Sequence, residues 1–191
     1  MIPLALDPKY ANLAVAGNGA LALRRLLSLR AGGAAEVLVY ADAPEEALAE
    51  AAGVYLRLAL PDAAALADLH ALWIAGLEPQ AAAVLAATAR RLRVLVNVED
   101  VPTLCDFHSV AEVRRGALLL TVSTHGAAPG LARVIRRGLE ACFGAEWEAR
   151  VDEVAALRRG WQAEGMSMKQ AAARIEALVA ERCWLSCPKP H

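Results

Sequence analysis

The chain has 191 residues, of which 57% are hydrophobic and 21% charged, with a formal net charge of -1. This composition is globular and long enough to bury a core without disulfide staples; it argues against a disordered chain and, being nearly neutral, against a duplex-binding protein. No apolar run approaches the roughly 20 residues of a membrane span. The N-terminus shows no basic segment ahead of its apolar residues, and the 4 cysteines are too sparse for a disulfide framework. A cytoplasmic protein with neither membrane nor nucleic-acid partners is therefore expected. The basic pairs Arg24-Arg25, Arg90-Arg91, Arg114-Arg115 and Arg136-Arg137 read as solvated surface, with an anionic ligand as the alternative.

In chain order, short apolar runs at 12–16, 35–40, 54–60, 71–75 and 93–98 alternate with helix-like segments near 20–31, 44–52, 62–69 and 79–91. The order β-α-β-α-β-α-β-α-β predicts an α/β domain: a Rossmann-like parallel sheet with helices on both faces, its strands almost wholly apolar because both sides are covered. The alternation stops after Asp100. Residues 107–124, FHSVAEVRRGALLLTVST, predict an antiparallel hairpin turning at Arg115-Gly116. Helices are expected at 128–143, with proline near the first turn, at about 145–163, and from Ser167, which stands at capping-box spacing before Gln170. The predicted organisation is a dinucleotide-type domain over 1–112, a hairpin segment at 113–126 and a helical region over 127–191.

The stretch VAGNGALALRR at 15–25 lies between the first strand and the first helix. In a dinucleotide site the first glycine allows a tight turn, the second lets backbone approach the pyrophosphate, and a third small residue lets helix pack on strand. Gly17, Gly19 and Ala22 occupy those positions, with Asn18 between the glycines. Asp42, after the second strand, is placed to accept hydrogen bonds from ribose hydroxyls and, by charge, favours NAD over NADP. It reads equally as the N-cap of a helix beginning at Pro44. Asn97, Glu99 and Asp100 follow the fifth strand, where a parallel sheet presents its ligand crevice.

GNGALALRR, NVEDVP, CDF, the RRG turn and TVSTHGAAPGLAR occur in this order, and with them the chain resembles the precorrin-2 dehydrogenase family, which includes the N-terminal module of siroheme synthase. The resemblance implies NAD-dependent oxidation of precorrin-2 to sirohydrochlorin, insertion of a ferrous or cobaltous ion in some members, and a homodimer formed through the hairpin and C-terminal helices. It carries the key aspartate to Asp100, as a base or a metal guide, where the bland alternative is a turn residue before Val101-Pro102. Dinucleotide contacts fall on Ala20, Leu21, Asp42 and Ala43. Ser123, Thr124 and His125 lie in the hydroxyl-rich segment near the tetrapyrrole, one hydroxyl being phosphorylated in some relatives, and Arg133, like Arg114 and Arg115, is an expected partner for substrate carboxylates.

This chain departs from the family pattern in the segment IAGLEP at 74–79, where polar groups are expected, and in carrying His108 and His125. The two imidazoles suggest altered substrate or metal handling, His108 being a candidate metal ligand beside Asp100. Cys183, Cys187 and His191 recur at intervals of four, but the prolines between them disfavour a helical metal site. Three functions remain open at this level: an NAD-dependent dehydrogenase, an enzyme whose main activity is metal insertion, and a non-catalytic tetrapyrrole or NAD carrier.

Overall fold

The computed structural model describes residues 2–185. The chain divides into two compact units at Ser109/Val110, so the hairpin belongs with the C-terminal helices.

The first unit is a five-stranded parallel sheet in the order β3-β2-β1-β4-β5. Its strands are β1 (Leu13–Gly17), β2 (Leu38–Tyr40), β3 (Leu56–Arg57), β4 (Ala71–Ala75) and β5 (Leu95–Val98), linked by α1 (Gly19–Ala31), α2 (Glu46–Ala52), α3 (Ala63–Ala67) and α4 (Pro79–Arg91). The predicted architecture is borne out. Every residue of β1 and β4 is buried, which explains their uninterrupted apolar runs. Leu26 of α1 and Leu48 of α2 join Val15, Val37 and Val39 on one face. Leu66 of α3 and Leu85 of α4 join Leu72, Ile74 and Val96 on the other. Burial of each leucine contributes roughly 1.5–3 kcal/mol.

One predicted strand contracts. The run at 54–60 supplies only Leu56–Arg57, because a 3-10 turn at Gly53–Tyr55 intervenes and the chain lies at the sheet edge, where Val54 and Leu58 stay exposed.

Strand order reverses between β1 and β4, and there the backbone leaves no room for side chains. Gly17, with φ +138°, pairs in register with Ala75, and a Cβ on it would stand 1.7 Å from the Ala75 carbonyl oxygen. Gly76, with φ +71°, approaches the next residue of the turn so closely that its Cβ would lie 2.1 Å from the Asn18 carbonyl oxygen. Thus the glycine in the divergent IAGLEP segment has a steric purpose that its sequence context did not reveal.

In the second unit β6 (Ala111–Arg115) and β7 (Leu118–Val122) form the expected antiparallel hairpin. Gly116, φ +54°, is the first of two turn residues, the position at which a tight hairpin needs a left-handed residue. Three helices follow: α5 (Pro129–Cys142), α6 (Trp147–Ala163) and α7 (Met168–Glu181). Proline opens α5, and α7 starts on the expected capping box, in which Gln170 N–H donates to Ser167 Oγ (3.3 Å) and Ser167 N–H to Gln170 Oε1 (3.0 Å). The unit's buried apolar residues are few: Val113, Ala132 and Ala171 among those described. An aromatic group adds to them, with Trp147 packed between Phe143 and Trp184 and the Arg150 guanidinium 5.1 Å and 5.2 Å from the two tryptophan rings. Cys183 follows α7, while Cys187 and His191 lie outside the described residues.

Replacing Gly76 by alanine forces both a left-handed conformation and a backbone collision, so Gly76→Ala is expected to destabilise the protein by at least about 2 kcal/mol. Urea denaturation against the unsubstituted chain checks this; a midpoint unchanged at constant slope contradicts the close approach.

Candidate functional site

Strand order reverses between β1 and β4, and the carboxyl ends of the strands at such a reversal are where open α/β sheets take ligands. Gly17, Asn18 and Gly19 form the turn out of β1. Ala22 is fully buried beneath it, the small residue that lets α1 lie close to the sheet. Asn18 occupies the N-cap position of α1, yet its side chain makes no capping hydrogen bond. The first-turn N–H groups, Ala20 and Leu21 among them, have no side-chain acceptor among the described residues at the positive end of the helix dipole.

The Asn18 amide instead reaches the loop after β2. Its Nδ2 donates to Asp42 Oδ1 at 2.8 Å, and its Oδ1 accepts from Ala43 N–H at 3.1 Å. Asp42 is thereby joined to the glycine turn. Its reading as a helix cap is corrected: α2 begins at Glu46, with Glu45 at the N-cap position. These features fit a dinucleotide, with uncapped amides for phosphate and an exposed carboxylate for a ribose.

Beyond β5 the chain turns back along its own strand. Asp106 closes the return: its backbone N–H donates to the Val96 carbonyl (2.7 Å), its Oδ2 accepts from Val96 N–H (3.0 Å), and its Oδ1 accepts from Arg90 Nε of α4 (2.7 Å). Cys105 Sγ accepts from Val98 N–H at 3.3 Å and lies 3.2 Å from the Val98 carbonyl. Phe107 stands edge-on to Trp73, ring centres 4.9 Å apart. The CDF motif is therefore a clasp. Asn97, expected to meet substrate, is 6% exposed, and its amide donates to the Phe107 carbonyl at 2.9 Å, so its side chain serves the clasp.

The clasp carries Asp100, which has φ +60° and an exposed side chain with no hydrogen bond or ion pair among the described residues. A non-glycine residue held in the left-handed region by its surroundings marks stored strain, which concentrates at functional positions. Glu99 beside it points inward and binds Arg24 and Arg25 of α1 through separate oxygens. Arg25 also donates to Ser109 Oγ at 2.8 Å. The solvated-surface reading of this arginine pair is corrected for Arg25, whose side chain is 14% exposed because it spans from α1 to the β5 terminus. Burial works against ionisation of Glu99, but hydrogen bonds and charge from Arg25, and then Arg24, outweigh it and hold the carboxyl below its ordinary value of 4.5.

His108 is half-buried in the first unit. Among the described residues no three His, Cys, Asp or Glu side chains gather as a metal site, so Asp100 and His108 lack a third such ligand there. Ser123, Thr124, His125 and Arg133 belong to the second unit. Ser123 Oγ accepts from His125 N–H (3.3 Å), and Thr124 Oγ1 accepts from Ala128 N–H (3.2 Å) just before α5. His125 and Gly126 are both left-handed, with φ +58° and +76°. Sequence reading missed the Glu99 ion pairs and the Asn18 bridge; the adjacent acid and basic pair, and an asparagine where a third glycine could stand, were the available signals.

Residues 4–111 match a family model described as putative NAD(P)-binding. The chain belongs to that family. It is 35% identical over 144 residues to a siroheme synthase of Methylococcus capsulatus, covering 74% of this chain and 30% of that protein. It is 32% identical over 198 residues to a siroheme synthase of Chromobacterium violaceum, covering 91% of this chain and 42% of the relative. The chain thus spans less than half the length of these relatives. A solved structure titled SirC, precorrin-2 dehydrogenase, shares the fold with a TM-score of 0.73 at 21% identity, over 97% of this chain and 93% of that one. The resemblance read from the motifs is borne out, as is the NAD expectation at the level of the family.

A carboxylate with a depressed pKa stabilises the fold above its unfolded-state pKa and ceases to do so as pH falls through the folded value. Glu99→Ala, which leaves Arg25 buried without its carboxylate, is expected to cost about 3 kcal/mol at pH 7. The deficit should shrink below pH 4. Urea titrations at the two pH values measure it, and an equal deficit at both contradicts the charge-based account.

Proposed function

We propose that the chain is a dehydrogenase that oxidises precorrin-2 to sirohydrochlorin in siroheme synthesis, working in the cytoplasm as a homodimer. Asp100 carries the reading: an exposed carboxylate with no partner among the described residues, strained in backbone and held just beyond the carboxyl end of β5. The siroheme synthase relatives and the SirC fold support the choice of substrate.

NAD, when bound, supplies the two-electron acceptor. The amides of Ala20 and Leu21 would hold its phosphates, and Asp42 and Ala43 would hold its ribose. Asp100 takes a proton from the macrocycle at a carboxylate oxygen, a task that suits an anion free of competing donors. In the second unit, the Arg133 guanidinium and the start of α5 offer positive charge and backbone N–H groups to an anionic ligand.

The homodimer is supported by α5, where Leu131, Val134 and Ile135 share one helical face and remain exposed although the unit buries little else.

Anaerobic incubation with precorrin-2 and NAD should raise NADH absorbance, and Asp100→Ala should lower the rate at least about 100-fold with dinucleotide affinity unchanged. Absence of NADH with the unsubstituted protein removes the dehydrogenase reading, and metal incorporation without NAD would put a chelatase in its place. In sedimentation velocity the protein should run as a dimer, and Val134→Glu should shift it to monomer; a monomeric unsubstituted chain removes that part of the proposal.

A further inference from the structure

We infer that Asn18 is a positioning residue for cofactor choice: it holds Asp42 and leaves the α1 N-terminus open, so that an unphosphorylated adenosine ribose is accepted and a 2′-phosphate refused. The inference rests on the dinucleotide reading above and adds the residue that makes the site selective.

Asparagine is among the residues that best cap helices, and its ordinary place is to accept from the N2 or N3 backbone N–H. In α1 those positions are Ala20 and Leu21. Asn18 stands at the cap with extended backbone, φ -129° and ψ 168°, and yet does not cap. Both its polar atoms go elsewhere: Nδ2 to Asp42 and Oδ1 to Ala43 N–H. The partners also fix the orientation of the amide, because only Nδ2 can face a carboxylate and only Oδ1 can face an N–H. One side chain therefore ties the two loops that border the crevice and leaves the helix amides to a ligand.

The consequence for selectivity is electrostatic. Asn18 binds Oδ1 of Asp42, leaving Oδ2 to accept from a ribose hydroxyl. This hydrogen bond favours one orientation of the carboxylate and opposes its turning away from a 2′-phosphate. A 2′-phosphate would meet the negative charge of Asp42, whereas a diol meets an acceptor already aimed.

The test is fluorescence titration of the full chain with NADH and NADPH, comparing the unsubstituted protein with Asn18→Ala, Asp42→Ala and the double variant, and circular dichroism to confirm folding. The unsubstituted protein should prefer NADH by at least about 100-fold. Asn18→Ala should weaken NADH binding about tenfold, narrow the preference, and add nothing further once Asp42 is alanine. A residue with a merely structural role would weaken both dinucleotides alike. Asn18→Asp, which sets a second carboxylate against Asp42 and can cap α1, should bind NADH more weakly than Asn18→Ala. Unchanged selectivity in Asn18→Ala, or full additivity in the double variant, overturns the inference and leaves the cofactor reading standing. If the unsubstituted protein binds neither dinucleotide, the cofactor reading falls and the inference with it.

Discussion

Gly17 and Gly76 meet neighbouring backbone at distances that exclude a Cβ, one against Ala75 and the other against Asn18. This mutual approach brings the ends of β1 and β4 together where strand order reverses, and the remaining features of the first unit follow from it. With the two strand ends in contact, α1 starts immediately after the sheet and points its amino terminus into the crevice. The Asn18 backbone is held between Gly17 and Gly76, so its side chain is directed across the crevice to the loop after β2. A bulkier residue at either glycine would move the turn, the helix and the Asp42 loop together.

The opposite side of the crevice depends on charge. Glu99 brings the end of β5 against α1 by accepting from Arg24 and Arg25, and the depressed carboxyl shows that pairing outweighs burial. Because Asp100 is the next residue, the same ion pairs that steady α1 also fix the strand terminus from which Asp100 projects. The clasp formed by Cys105, Asp106 and Phe107 fixes it from the other direction. Asp100 is accordingly an exposed group on a rigid mount, and its left-handed backbone persists because both flanks are anchored.

Strand and helix order was legible in the sequence because fully buried parallel strands are apolar throughout, and the glycine turn was legible because its spacing is dictated by backbone sterics. The hairpin and the capping box were equally local. Less visible were interactions joining residues far apart in sequence: Arg25 with Glu99, Asn18 with Asp42, Asn97 with Phe107. Pattern alone assigns such groups to the surface or to the ligand, and Asn97 shows how the amide nitrogen of a polar residue at a strand end can be engaged by the protein itself. The run at 54–60 contracted to Leu56–Arg57 for another reason, since apolar character does not by itself lengthen the pairing of an edge strand.

The return of the chain along β5 also bears on how the molecule avoids its own kind. A strand at the border of a sheet offers unpaired N–H and C=O groups to any extended segment nearby, which is how folded chains begin to aggregate. At Val96 both groups are already taken, the carbonyl by the Asp106 backbone and the N–H by its carboxylate. The residue that closes the clasp under Asp100 thus places a charged side chain on the border of the sheet, and a foreign strand approaching there finds the template filled.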